Sequence, residues 1–202
     1  MGVDAHAHVL VLPGAGGIWI DGPQTNAVAL SLAKSGFTAH VVSYFDRTGT
    51  WVAWGDKSMI AHFATWMRTI DDAIAQIGQF ANHKHPIGIY GYSLGGFLAI
   101  VAGSRNRCVG AVVEQAGGIW DKFYDPVAPL PPVLVIHGRN DERVKFGINT
   151  DRIRQRVERE GNPFHLLAFE NERHRLSREA QKMSVDAAAD FFQKHLTSEV
   201  CC

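Results

Sequence analysis

Apolar residues along this chain come as short unbroken runs, separated by longer stretches in which they recur every three or four positions. The first run, His8-Val9-Leu10-Val11-Leu12, ends at the glycine-rich stretch Pro13-Gly14-Ala15-Gly16-Gly17. Thr38 to Tyr44, Ile87 to Tyr90, Val109 to Val113, Pro132 to His137 and Phe164 to Phe169 are the others. Runs this short, without polar alternation, predict strands buried on both faces. Between them, Ala27 to Lys34 predicts a helix closed by Gly36. Phe63, Met67, Ile70, Ile74 and Ile77 predict an amphipathic helix of about five turns. Gly96 to Ala102 reads as a further helix. A charged helix carries Ile153 and Val157 and ends at Gly161. A last helix, capped by Ser177, is expected to pack through Met183, Ala187 and Phe191. Strands alternating with helices predict one open, doubly wound, mostly parallel sheet over residues 1–202, with a tail fraying from about 198. Sites in such sheets lie at the carboxyl ends of the strands.

Gly91-Tyr92-Ser93-Leu94-Gly95 sits where the Ile87–Tyr90 strand meets a helix. A serine between two glycines at a strand-to-helix turn is the pattern of a nucleophile elbow, whose tight backbone pushes Oγ out of the sheet. The pattern alone turns up by chance in roughly one chain of this length in ten or twenty, so its setting carries the weight.

A serine hydroxyl needs a base to take its proton, and the base needs an orienting carboxylate. After such an elbow the acid comes next in the chain and the histidine last. Of the 10 histidines, His6, His8, His40, His62, His83 and His85 precede Ser93. His137 and His165 fall within strands and His195 near the end of the last helix. His174, in the loop after the last strand, is the candidate base. Asp141, in Gly138-Arg139-Asn140-Asp141-Glu142, is the candidate acid. Glu142 is its rival, and Asp121 or Asp125 a more distant one. An oxyanion hole needs backbone N–H groups where charge develops; Leu94 is expected to give one, and Ala15 or Gly14 the other.

Competing chemistries fit less well. The Gly14–Gly17 loop resembles a dinucleotide fingerprint, but Trp19 stands where the third glycine belongs, and no acidic residue closes the next strand at the usual distance. His6-Ala7-His8 resembles a metal-binding pair of barrel amidohydrolases, yet it precedes a strand instead of following one. Cys108 has no ligand partner at metal spacing and reads as a core thiol. No metal and no cofactor are expected.

Lys+Arg and Asp+Glu balance at 20 each, so no net field draws the chain to nucleic acid or an anionic membrane. No apolar run reaches membrane-span length, and neither a secretory signal nor a myristoylation site is legible, His6 standing where Ser or Thr belongs. Only 3 cysteines occur, the tail pair Cys201-Cys202 among them, which suits a reducing, cytoplasmic setting. A small-molecule substrate and a monomer or homodimer are expected.

The elbow Gly91–Gly96, the segment Tyr44-Phe45-Asp46-Arg47-Thr48-Gly49-Thr50 and the block Ile136-His137-Gly138-Arg139-Asn140-Asp141-Glu142 together resemble the dienelactone hydrolase family of α/β-hydrolases. The resemblance runs from the Pro13–Gly17 loop to the final helix. It implies a Ser93/Asp141/His174 triad and hydrolysis of carboxylic esters or lactones, on a sheet that begins at the third strand of larger α/β-hydrolases. Dienelactone hydrolases proper carry a cysteine nucleophile. Ser93 resembles the esterase-like members instead, so dienelactone is not carried over as substrate. Gly117 to Pro131, with Trp120, Phe123 and Tyr124, is the only lid-length insertion, and Trp51 and Trp54 lie in another loop. Trp19, Trp51 and Trp120 are the candidate substrate contacts, around a pocket expected to be shallow. A thioesterase, a peptidase or a non-catalytic binding protein would fit the same fold.

Overall fold

The computed structural model describes residues 7–80, 86–123 and 128–196. His6, His83, His85, Tyr124, Asp125, Cys201 and Cys202 lie outside the described residues, as does the expected fraying of the tail.

Strands β1 (His8–Leu12), β2 (Thr38–Val41), β3 (Ile87–Tyr92), β4 (Val109–Gln115), β5 (Val133–Gly138) and β6 (Phe164–Phe169) form one 6-stranded sheet in the order β2-β1-β3-β4-β5-β6. Every neighbouring pair is parallel. Helices α1 (Gly17–Lys34), α2 (Gly55–Phe80), α3 (Leu94–Arg105), α4 (Ile148–Arg159) and α5 (Arg178–His195) make the crossovers. The order reverses beside β1, so helices cover both faces. Leu10, Ile89, Val112, Val133 and Val135 point to a core shared with α2, α3 and α4. Their sequence neighbours Val9, Val11, Tyr90, Val113 and Leu134 point the other way, to α1 and α5. This period-two split is what lets an unbroken apolar run bury both faces.

Four expectations are corrected. Helix α1 begins at Gly17, ten residues before Ala27. Its inner face is Asp21, Gly22, Thr25, Val28 and Leu32, too polar and small to show an apolar period, while Ile18, Trp19 and Ile20 face outward. Pro23 is accommodated inside it. Strand β2 ends at Val41, because Tyr44 turns inward and its hydroxyl donates to the Pro13 carbonyl (2.7 Å). In α5, Phe191 is buried and Ala187 packs against the core as expected, but Met183 is 51% exposed; Ala180, Ser184, Val185, Ala188, Ala189 and Phe192 are buried with Phe191. Ser184 satisfies its hydroxyl by donating to the Ala180 carbonyl (2.7 Å), so a polar residue can sit among them. Helix α2 spans 26 residues, longer than the five turns its apolar stripe predicts. Ser177 does cap α5, accepting from the Ala180 N–H (3.3 Å).

Candidate active site

Ser93 follows β3 and opens α3 with φ 53° and ψ −116°. A non-glycine residue rarely holds such a backbone, and surrounding structure must enforce it. The enforcement is visible. A side chain at Gly91 would strike the backbone of Gly95, and one at Gly95 would strike the Leu12 and Pro13 carbonyls. The Ser93 N–H is held by the Gln115 carbonyl of the adjacent strand (2.8 Å).

His174 stands in the loop after β6, and its Nε2 accepts from Ser93 Oγ at 2.8 Å. Its Nδ1 donates to Asp141 Oδ2, also at 2.8 Å. A carboxylate can only accept, which fixes the proton on Nδ1 and leaves Nε2 free to take one. Asp141, in the loop after β5, is buried. Its second oxygen accepts from the N–H groups of Arg143 (2.8 Å) and Val144 (2.9 Å). Burial opposes its ionisation, but hydrogen bonds from His137, His174 and Val144 outweigh it and hold the carboxyl well below the usual carboxylate range. The rival acids lie elsewhere: Glu142 is exposed, and Asp121 pairs with Arg152.

The Leu94 N–H at the start of α3 and those of Gly14 and Ala15 meet no acceptor among the described residues. By contrast, Gly16 N–H is taken by Asp21 Oδ2 (3.0 Å) and Gly17 N–H by the Gly14 carbonyl (3.0 Å). Gly95 packs against the Leu12 and Pro13 carbonyls, so the Pro13–Gly17 loop and the elbow are immediate neighbours. The free N–H groups, the helix N-terminus and the serine hydroxyl can together receive an acyl group and the charge that grows on its oxygen.

Trp19 (68% exposed) and Trp51 (62% exposed) stack at 4.7 Å on the outer side of that loop. Ala53 N–H anchors their neighbourhood to the Ala15 carbonyl (2.7 Å). Trp54 is exposed as well. Trp120 is half-buried instead, in a cluster with Phe63, Phe97 and Phe123. Cys108 packs against the core, as its lone position suggests.

Sequence reasoning missed four polar residues around this array. Asp21 and Arg175 bridge the first and last loops (2.7 Å). Glu114 and His137 are fully buried beside Asp141 and the elbow. A carboxylate ending the apolar run Val109–Val113 was the available signal for Glu114. His137 was noticed only as a strand residue.

Three layers, this strand order and a serine elbow feeding a loop histidine and a loop acid define an α/β hydrolase of reduced size. Residues 3–198 match the Dienelactone hydrolase family, and the chain belongs to that family. No curated protein sequence matches significantly. Among solved structures, a dienelactone hydrolase from Anabaena variabilis is 18% identical, with 96% of this chain and 88% of that one covered and a TM-score of 0.72. Esterase PE8 is 22% identical, with coverage of 95% and 94% and a TM-score of 0.72. A dienelactone hydrolase-like promiscuous phosphotriesterase from metagenomic libraries is 18% identical, covering 94% and 87%, with a TM-score of 0.74.

Proposed function

We propose that this protein hydrolyses carboxylic esters or lactones of small to medium size through a Ser93-bound acyl intermediate. The observation that carries the reading is the unbroken line Ser93 Oγ, His174, Asp141, with both links at 2.8 Å. Family membership and the esterase among the similar structures support it.

In this mechanism Ser93 Oγ bonds to the ester carbonyl carbon while His174 Nε2 takes its proton. The carbonyl oxygen becomes anionic between Leu94 N–H and the N–H of Ala15 or Gly14. Each such donor typically contributes a factor of about 10²–10³. Collapse breaks the bond to the alcohol, which leaves with the proton from His174. Water then attacks the acyl carbon, giving its proton to His174. A second collapse returns that proton to Ser93 and releases the carboxylic acid. Asp141 stays ionised throughout, orienting the imidazole and stabilising its charged form. No step calls on a cofactor.

Trp19 and Trp51 form an apolar rim beside the oxyanion loop and are the proposed substrate contacts, with Trp120 contributing from within its aromatic cluster. We place the protein in the cytoplasm as a monomer or homodimer with no nucleic-acid or membrane partner. Among the described residues no helix is long and apolar enough to cross a membrane. A fluorophosphonate label with mass-spectrometric site mapping tests the mechanism: the adduct is expected on Ser93. Absence of labelling would favour a non-catalytic binding protein. A panel of esters, lactones, thioesters and peptides then sorts the substrate classes.

A further inference from the structure

Glu114 and His137 are both fully buried, and none of the proposed chemical steps uses either. Residues opposed across β4 and β5 include Glu114 with Val135. His137 lies two positions further along β5, so both side chains leave the same face of the sheet. Glu114 also lies opposite Gly91 of the elbow strand. Its Oε1 accepts from the Gly117 N–H, and a Cβ at Gly96, in the first turn of α3, would stand 3.1 Å from that oxygen. The elbow's missing side chains therefore leave the space that the carboxyl fills.

His137 Nε2 lies 3.1 Å from Asp141 Oδ2 and 2.8 Å from the Val144 carbonyl. Both are acceptors, so Nε2 carries a proton and donates to both. Asp141 Oδ2 thus receives two imidazoles at once, His137 behind it and His174 in front. His137 Nδ1 and Glu114 Oε2 are buried with no hydrogen-bond partner. Two buried polar atoms left without partners on one face of the sheet are costly, and a charge on one group is eased by the opposite charge on the other. The charged and titratable groups around the ring are Glu114 from β4, Asp141 from the β5 loop and His174 from the β6 loop. Arg139 lies over the Phe146 ring whose edge meets His137.

We propose that His137 is a positioning residue for Asp141, and that Glu114 supplies the negative charge that keeps a second proton on the His137 ring. The role rests on reading Ser93, His174 and Asp141 as a triad. An imidazolium behind Asp141 offsets part of that carboxylate's pull on the proton of His174. Burial pushes the Glu114 carboxyl up to about 7, against His137 and the Gly117 N–H, so the charge it supplies is present above that pH and fades below it. For His137, burial favours the neutral ring, but Asp141, Glu114 and the Val144 carbonyl outweigh it and raise its pKa.

Imidazole NMR of the ¹⁵N-labelled full chain tests this without needing a substrate. Glu114→Gln keeps an acceptor for Gly117 but removes the charge, and should lower the titration midpoint of His137 by about one pH unit. His137→Gln keeps an uncharged donor and should raise the midpoint of His174 by roughly half a unit or more. The acid limb of kcat/KM should move up with it. His137→Leu, which removes the donor, should lower kcat about 10–100-fold with little change in KM, as loss of an orienting second partner does elsewhere. If His137→Leu fails to fold, the two glutamine variants still decide the matter. Unmoved midpoints in both folded variants would overturn the proposal, because a merely structural pair would alter stability alone. Shifted midpoints in a protein that hydrolyses no ester would support the coupling and overturn the ester reading instead.

Discussion

Arg175 Nη2 lies 2.7 Å from Asp21 Oδ1, across 154 residues of chain. Asp21 in turn holds the Gly16 N–H with its other oxygen, and Arg175 directly follows His174. One buried carboxylate therefore ties the loop after β1 to the loop after β6. The same junction is closed from the side by Tyr92, whose hydroxyl donates to the His174 carbonyl (3.4 Å) and whose ring lies 5.5 Å from the imidazole. The two halves of the proposed chemistry, oxyanion donors and base, are set relative to each other by this bridge.

Asp21→Asn and Arg175→Met should each lower kcat/KM, by roughly 3–30-fold, and the double variant should be no worse than the poorer single one. Partners in one ion pair lose the same interaction whichever is removed, so their effects fail to add. Arg175 is largely solvent-facing, so the effect on melting temperature should be small. Additive losses in steady-state kinetics would show that the two residues act separately.

Ser93→Ala and His174→Ala should each reduce kcat by on the order of 10⁴–10⁶, with the double variant little worse, since nucleophile and base act as a unit. Asp141→Asn should cost less than Ser93→Ala. Glu142→Gln, altering an exposed side chain, should stay near wild type. Circular dichroism checks the fold, and fluorophosphonate labelling should vanish in Ser93→Ala. A crippled Glu142→Gln beside an active Asp141→Asn would move the acid by one residue.

Hydrolysis should rise with pH from mildly acidic conditions towards neutrality. Only neutral imidazole can accept the Ser93 proton, so protonating His174 abolishes the base. Asp141 should add no second proton to this limb, because its hydrogen bonds hold its carboxyl well below the usual range. Excess chelator should leave the rate unchanged. A stopped rate on chelation, or activity falling as pH rises with the protein still folded, would require another mechanism.

Trp19→Ala and Trp51→Ala should raise KM for aryl esters several-fold while leaving kcat near wild type, since both rings are exposed at the rim. Trp120→Ala should act differently. It removes a ring packed on Phe63, Phe97 and Phe123, and should lower stability by about 1–3 kcal/mol. A denaturant titration beside the kinetics separates the two effects.

The local sequence determined the alternation of strands and helices, the serine elbow, and the loops that carry Asp141 and His174. Each of these is written over a few adjacent residues: apolar runs, glycines flanking one serine, polar clusters just after a strand. Chain order together with the predicted elements then chose His174 from the other histidines, and the structure does bring it to Ser93. The extent of α1, the inner stripe of α5, the Asp21–Arg175 bridge and the burial of Glu114 and His137 were decided only by tertiary packing. Small and polar side chains line the inner face of α1, and Ser184 interrupts that of α5, so the hydrophobic period is weak in both. The bridging partners sit on separate crossovers, and only the sheet order β2-β1-β3-β4-β5-β6 brings the first and last loops to the same end of the molecule. An ion pair between distant residues leaves little trace in one dimension, because it depends on which oxygen and which nitrogen the fold makes neighbours.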